Sequence, residues 1–242
     1  MSVYIGTCGF YYDDWKGVFY PENLSKTKYL DFYIEHFDTV ELNSTFYHLP
    51  KQKTVIHWRE KAREGFLYSL KAYRGITHYK KLKDVKEDLY LYLHLIKPLK
   101  PFLGIVLFQL PPSLKKDILL LADFLALLPS SFEYAIEFRS DSWYEEDVFD
   151  LLKRYEIAFC IHDFSKKITP LITTSKNVYI RFHGPSGRYR GSYEDSYLKE
   201  WAKRIKELSE KNLRVFCFFN NDFEGNAVLN AKTLKSFLED SK

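Results

Sequence analysis

Tyr134-Ala-Ile-Glu137-Phe-Arg139 is an apolar run that ends in two charged groups, and the way its side chains divide decides the fold. Successive residues of a strand face opposite sides, so Glu137 and Arg139 share one face while Ile136 and Phe138 share the other. The design recurs in Thr39-Val-Glu41-Leu-Asn43, Tyr68-Ser-Leu-Lys71, Leu107-Phe-Gln109, Ile161-His162-Asp163, Tyr179-Ile-Arg181-Phe-His183 and Phe218-Phe-Asn220-Asn221. Glu41 with Asn43, and Arg181 with His183, keep the same spacing of two. Strands that are apolar outside and polar only at the inner face of one end suit a barrel whose mouth carries the chemistry.

Working outward, strand-like runs fall at about Val3–Thr7, Thr39–Asn43, Phe66–Lys71, Gly104–Gln109, Glu133–Phe138, Ile157–His162, Val178–His183 and Arg214–Phe219. Most connections carry helical periodicity or helix punctuation. Ser25 is placed to cap a helix over Lys26–Phe37, and Asp84 to open one that runs to Lys97 and stops at Pro98. Lys115–Leu127 follows Pro111-Pro112, Ser142 can cap Trp143–Tyr155, Ser192 can cap a helix to about Lys211, and Gly225–Leu238 closes the chain. Alternating strands and helices imply parallel strands with right-handed crossovers. Eight of them in 242 residues predict an α/β fold, a single (β/α)8 TIM-like barrel forming one domain over residues 1–242. The connection between strands six and seven, from His162 to Asn177, is expected to be irregular, because Pro170 and clustered Thr and Ser leave little room for a helix.

Hydrophobic residues make up 46% of the chain, enough for a large core and inconsistent with disorder. The net charge of +4 permits an anionic partner without requiring one. Cys8, Cys160 and Cys217 lack metal-ligand spacing, and an odd count with no signal peptide reads as reduced thiols and a cytoplasmic location. No apolar stretch is long enough for a membrane span. The oligomeric state is open, with a monomer favoured.

Together, Gly6-Thr7-Cys8-Gly9-Phe10, the run from Phe37 to Pro50, Leu107-Phe-Gln109-Leu-Pro111-Pro112, Glu137-Phe-Arg139 with Trp143, His162-Asp163, Arg181-Phe-His183-Gly184-Pro185 and Phe219-Asn220-Asn221-Asp222-Phe-Glu224-Gly225 resemble the YecE-like family, domain of unknown function 72. The resemblance runs from Val3 to about Leu238. It implies a fold similar to the TIM barrels and leaves the reaction open. Cys8 stands where many relatives carry Ser, which speaks against an essential hydroxyl there.

Glu41, Glu137, His162 and His183 are the candidate catalytic groups. Paired carboxylates can supply general acid and base or bind a divalent metal; the structural alternative is that each glutamate is paired with a neighbour such as Lys71 or Arg139. His162, Asp163 and His183 add metal-ligand chemistry, but no HxH, HExxH or Cys pair is present, so the identity of any metal stays unknown. Asn43, Lys71, Gln109, Arg139, Arg181, Arg188, Arg190, Asn220 and Asn221 are the candidate substrate- or anion-binding residues. Arg188 and Arg190 lie in a basic, glycine-rich loop after strand seven, where such barrels often bind phosphate, and Arg recognises phosphate bidentately. No Walker or dinucleotide pattern occurs, so no nucleotide cofactor is indicated. Tyr11, Tyr12, Trp15, Tyr47 and Trp143 can stack on a base or sugar, or simply pack beneath loops.

Three functions follow. The leading expectation is an enzyme hydrolysing a phosphate-bearing substrate, either nucleic acid or a nucleotide or sugar phosphate, in the manner of a phosphodiesterase or nuclease. The second is a glycosidase- or sugar-isomerase-like enzyme using Glu41 and Glu137. The third is a barrel that binds an anionic small molecule or nucleic acid without turning it over.

Overall fold

A computed structural model describes residues 2–164, 167–186 and 189–239. In chain order the elements are β1 (Val3–Thr7), α1 (Tyr29–His36), β2 (Thr39–Leu42), α2 (Ser44–Tyr47), α3 (Gln52–Lys61), β3 (Leu67–Lys71), α4 (Lys86–Ile96), β4 (Leu103–Leu110) and α5 (Ile118–Ala126). They continue as β5 (Tyr134–Phe138), α6 (Glu146–Arg154), β6 (Ala158–Phe164), β7 (Lys167–Ile168), β8 (Asn177–Phe182), α7 (Asp195–Glu210), β9 (Arg214–Phe219) and α8 (Asn226–Glu239). The strand order is β1-β9-β8-β6-β5-β4-β3-β2, with β7 off this path and antiparallel to β6. A parallel bridge between Cys8 and Glu41, with Gly9 N–H donating to the Glu41 carbonyl at 2.8 Å, joins the two ends of the order. Eight parallel strands with intervening helices make this a (β/α)8 TIM-like barrel.

The chain groups into two compact units, one of Met1–Glu41, Ile161–Leu171 and Lys176–Lys242, the other of Leu42–Cys160 and Ile172–Ser175. In the first, β1 and β8 flank β9 in parallel register, Thr7 opposite Phe219 and Phe182 opposite Phe219. All six residues of β8 are buried, as expected for a parallel strand covered on both faces. Parity then sorts them. Phe182 meets Trp201 of α7 edge-on at 5.1 Å, so its face looks toward the helices. Tyr179 and Arg181 lie on the other face, where Tyr179 packs on Phe216 and Phe218. Helix α7 buries Leu198, Trp201, Ala202, Ile205 and Ser209, a stripe at helical spacing.

The β1–β2 junction is unusual in its hydrogen bonding. Thr7 N–H donates to the Tyr33 hydroxyl at 2.9 Å, and that hydroxyl donates to the Thr39 carbonyl at 3.1 Å. A helix side chain thus links two strands that do not bond each other at that step. Gly6 permits the approach, because a Cβ there would collide with the Thr39 carbonyl.

In the second unit β4 runs between β3 and β5, with Leu70 opposite Val106 and Gln109 opposite Glu137. Helix α5 buries Leu121, Phe124 and Leu125, and Phe124 meets Phe108 of β4 at 5.0 Å. Helix α3 buries Val55 and Trp58, and Tyr68 donates its hydroxyl to the Trp58 carbonyl at 3.0 Å.

The strands lie where the sequence puts them to within about two residues, whereas several helix starts differ. Ser25 caps nothing: its hydroxyl bonds Thr27, and a 3-10 turn over Lys26–Lys28 precedes α1. Asp84 adopts a left-handed conformation and α4 begins at Lys86. The α-helix does stop before Pro98, at Ile96, and a 3-10 turn over Lys97–Phe102 then takes Pro98 into its first turn, where its missing N–H costs nothing. Ser142 receives Lys116 N–H and Ser192 receives the Asn230 amide, so neither caps the helix that follows it. A cap does form at Asp117, whose carboxylate accepts Leu120 N–H at 3.0 Å. Between β6 and β8 no helix forms among the described residues. The short strand β7 folds back on β6 instead, and the Thr169 hydroxyl accepts His162 N–H at 3.0 Å.

Candidate functional site

The first unit assembles its polar residues at the C-terminal ends of β1, β2, β8 and β9. Glu41 and Arg181 are fully buried and paired, an Arg181 terminal nitrogen lying 2.7 Å from Glu41 Oε1. Tyr179 donates its hydroxyl to Glu41 Oε2 at 2.7 Å, so both carboxylate oxygens are engaged. The same guanidinium reaches Cys8 Sγ at 3.6 Å. Burial, and then the Glu41 charge, push both the Cys8 thiol and the Tyr179 phenol up, which keeps them protonated. A buried pair of this kind is costly to desolvate and is tolerated only when its hydrogen bonds are well made.

Asp222 stands three residues after the end of β9. Burial is the main cause that raises its carboxyl to about 8, with the Glu41 charge adding to it and a hydrogen bond from Tyr12 opposing it. Its backbone carbonyl accepts the indole N–H of Trp15 at 2.9 Å, which fixes the turn. At neutral pH this acid therefore holds its proton. Asp222 was legible as part of the Asn220-Asn221-Asp222 run, but its charge state was not. Tyr179 carried one signal, its shared parity with Arg181.

His183 is held from three directions. Its backbone N–H donates to Asp163 Oδ1 at 2.8 Å, its Nδ1 lies 3.0 Å from the Asn220 side-chain amide, and its ring meets His162 edge-on at 5.5 Å. Asp163 also accepts the hydroxyls of Tyr193 at 2.7 Å and Tyr197 at 3.1 Å, and the Tyr193 hydroxyl accepts Gly184 N–H at 2.7 Å. Burial pushes the Asp163 carboxyl up while these donors pull it back. A cavity of about 470 Å³ opens beside Asp163, Tyr193 and Tyr197, a volume suited to a small ligand. The two imidazoles are groups able to ligate a borderline cation.

The remaining predicted residues of this unit divide. Asn221 is buried and donates to the Gly191 carbonyl at 2.8 Å and to Asn230 Oδ1 at 2.9 Å, holding the loop after β8. Arg190 is exposed, its guanidinium 4.7 Å from the Phe223 ring centre. Arg188 lies outside the described residues. Trp15 is fully buried, and Tyr11 is exposed.

In the second unit Glu137 is fully buried, ion-paired with Arg139 and bonded by the Gln109 amide at 2.9 Å. The Cys160 thiol lies 3.9 Å from its other oxygen. Of the partners considered from sequence, Arg139 thus does pair with Glu137, whereas Glu41 takes Arg181. Lys71 lies 4.1 Å over the Phe46 ring centre, and Asn43, at the end of β2, leaves its Oδ1 without a hydrogen bond among the described residues. Trp143 is buried, donating to the Leu114 carbonyl at 2.8 Å, so it packs and does not face a ligand.

Fold and site define a TIM-like barrel with a buried ion pair, a buried aspartate and two histidines at strand ends. The family model described as "Protein of unknown function DUF72" matches residues 4–242, and the chain belongs to that family. The UPF0759 protein YunF of Bacillus subtilis (strain 168) is 28% identical over 275 residues, covering 98% of this chain and 95% of YunF. The UPF0759 protein YecE of Escherichia coli (strain K12) is 33% identical over 116 residues, 48% of this chain and 43% of YecE. A solved DUF72 family protein of Thermotoga maritima superposes with a TM-score of 0.88 at 34% identity, covering 99% of this chain and 100% of that one. A methyltransferase from Methanosarcina mazei, at a TM-score of 0.52 and 9% identity over 98% of this chain and 94% of its own, shares the fold alone. No described helix is long and apolar enough to cross a membrane.

Proposed function

We propose that the protein hydrolyses a phosphate-bearing substrate by acid–base chemistry at the ends of β1, β2, β8 and β9. The observation that carries this reading is Asp222, a carboxyl group raised to about 8 next to a buried, ion-paired glutamate. Two carboxyl groups in such different settings are suited to different halves of a proton transfer. A group that is protonated at neutral pH can give its proton to a leaving oxygen, which typically contributes 10²–10⁴-fold. His183, with its backbone clamped by Asp163 and its ring held by Asn220, is the matching proton acceptor or donor. Arg190, on the loop bounded by Gly184 and Gly191, is the group we assign to an anionic substrate.

The test is turnover of bis(p-nitrophenyl) phosphate, p-nitrophenyl phosphate and p-nitrophenyl glycosides from pH 5 to 9, with and without added Mn²⁺ or Zn²⁺. The expected result is cleavage of a phosphate ester that falls about a hundredfold or more in Asp222→Asn, with melting temperatures compared alongside. Cleavage of a glycoside alone would transfer the assignment to the sugar-directed reading that uses Glu41 and Glu137. Absence of turnover under every condition would leave a binding protein and overturn the proposal.

A further inference from the structure

The second unit holds a basic, aromatic cluster after β3 that is separate from the groups assigned to proton transfer. Lys71 ends the strand, and three residues later Arg74 leads into a single π-helical turn, Gly75–Tyr79. The Arg74 guanidinium carbon lies 5.5 Å from the ring centre of Tyr47 and 5.2 Å from that of Tyr79. Both tyrosines are more than half exposed, at 52% and 64%.

Arg74 is the informative member. Its Nε is shut away from solvent without an acceptor, and among the described residues it has no carboxylate partner. A buried donor left unmade is expensive, and folding rarely tolerates it without a compensating role. Stacking on aromatic faces leaves the in-plane N–H groups of a guanidinium available, and a phosphate satisfies that planar fork bidentately.

Positive charges outweigh the negative one at His78. His78 sits 4.9 Å from Phe46, the ring over which Lys71 lies, and its Nδ1 bonds the Thr77 hydroxyl at 2.9 Å. Its pKa is lowered to about 4 by burial first, then by the charges of Lys71 and Arg139, with Arg74 adding to them and Glu137 opposing. The imidazole is therefore neutral and senses a net positive field, the Glu137 charge offsetting part of it.

The backbone here departs from regular geometry as well. The π turn is followed by Lys81, Leu82 and Asp84, all with positive φ, between 48° and 68°. Isolated π turns and left-handed non-glycine residues are strained conformations that concentrate at functional sites.

We propose that Arg74, stacked on Tyr47 and Tyr79 and supported by the charge of Lys71, is a binding subsite for a phosphate ester that carries a planar ring. The phosphate sits on the guanidinium and the ring on an open tyrosine face. This is the chemistry of a nucleotide or of single-stranded nucleic acid, whose bases stack on aromatic side chains with little sequence preference. The inference stands on this unit alone and holds whether or not the ester is cleaved.

Calorimetric titration with AMP, adenosine, inorganic phosphate and a ten-residue oligothymidylate tests it. The expected result is that AMP or the oligonucleotide binds at least tenfold more tightly than adenosine or inorganic phosphate. Arg74→Ala should weaken that binding about 10- to 100-fold, the size of a charge-assisted hydrogen-bond pair. Arg74→Lys should recover only part of it, since the charge returns without the fork. Tyr79→Ala, at an exposed position that folding does not need, should cost about tenfold. An oligonucleotide that binds more tightly than AMP and weakens steeply with salt identifies the strand as the source; equal affinities identify the free nucleotide. Three results would overturn the proposal: no binding of either AMP or the oligonucleotide, inorganic phosphate binding as tightly as AMP, or unchanged affinity in both Arg74→Lys and Tyr79→Ala.

Discussion

Replacing Glu41 by Gln keeps the shape of the side chain and removes its charge, stranding the Arg181 guanidinium. Both partners are essentially without solvent access, at 0% and 1%, so water cannot take over from the carboxylate. Breaking a buried pair from one side costs about 3–5 kcal/mol, far more than the pair's net contribution, because the surviving charge is left uncompensated. Tyr179 can still donate to the carbonyl oxygen of the introduced amide, so the loss falls on the guanidinium. In a chain of this length each kcal/mol is worth roughly 2–4 °C, which places the fall in melting temperature at about 6–20 °C. Adding Arg181→Met removes the stranded charge and should restore most of that loss, since apolar replacements of buried pairs are often neutral. The assay is urea unfolding of wild type, both single variants and the double, read as a double-mutant cycle with an expected coupling above about 2 kcal/mol. If Glu41→Gln unfolds within about 1 kcal/mol of wild type, or the double variant loses the sum of the two singles, the reasoning fails.

Two further outcomes are expected. Asp222 is raised from an ordinary 3.8 to about 8, so the folded chain binds more protons than the unfolded one across that window. Its contribution is therefore full below the unfolded value of 3.8 and is lost as pH rises through 8, by up to about 1.4 kcal/mol per unit; the wild-type urea midpoint should fall from pH 5 to pH 8 relative to that of the uncharged Asp222→Asn, and parallel profiles would refute this. Gly6→Ala sets a methyl against the Thr39 carbonyl, a backbone atom that cannot rotate away; a loss of about 3 kcal/mol or more, at or beyond the upper end of overpacking costs, should appear as a lowered urea midpoint or failure to fold, and a near-normal midpoint would count against the close approach.

The strands were legible because parallel strands buried on both faces are written as contiguous apolar runs. Val3–Thr7 and Arg214–Phe219 have the bounds their hydrophobicity marks. Helix starts were less so, since a serine before an amphipathic stretch does not disclose that its hydroxyl will be taken elsewhere. Ser142 is claimed by Lys116, and Ser192 by Asn230. At the site, parity alone aligned Arg181 with Tyr179, but the partner of Glu41 lies 140 residues away and only the fold brings it near. The proton on Asp222 was hidden for another reason: desolvation belongs to a place in the folded chain and not to a residue type. The π turn after β3 gave no sign, because the run from His78 to Lys83 reads as an ordinary solvated basic stretch.

The Tyr33 hydroxyl at the β1–β2 junction makes the latch of the sheet a property of helix α1. Thr7 N–H and Thr39 C=O are joined through that hydroxyl, so any lifting of α1 takes away the acceptor of the Thr7 amide. The Thr7 amide proton should accordingly exchange with solvent at the frequency of helix detachment, while the amides bound in the β1–β9 ladder exchange far more slowly. Tyr33→Phe would turn that occasional breathing into a standing gap, because the buried Thr7 N–H would have to find water. A sheet closed in this way opens first at a chosen place, and it does so when a helix moves, with the β1–β9 and β8–β9 pairs still bound.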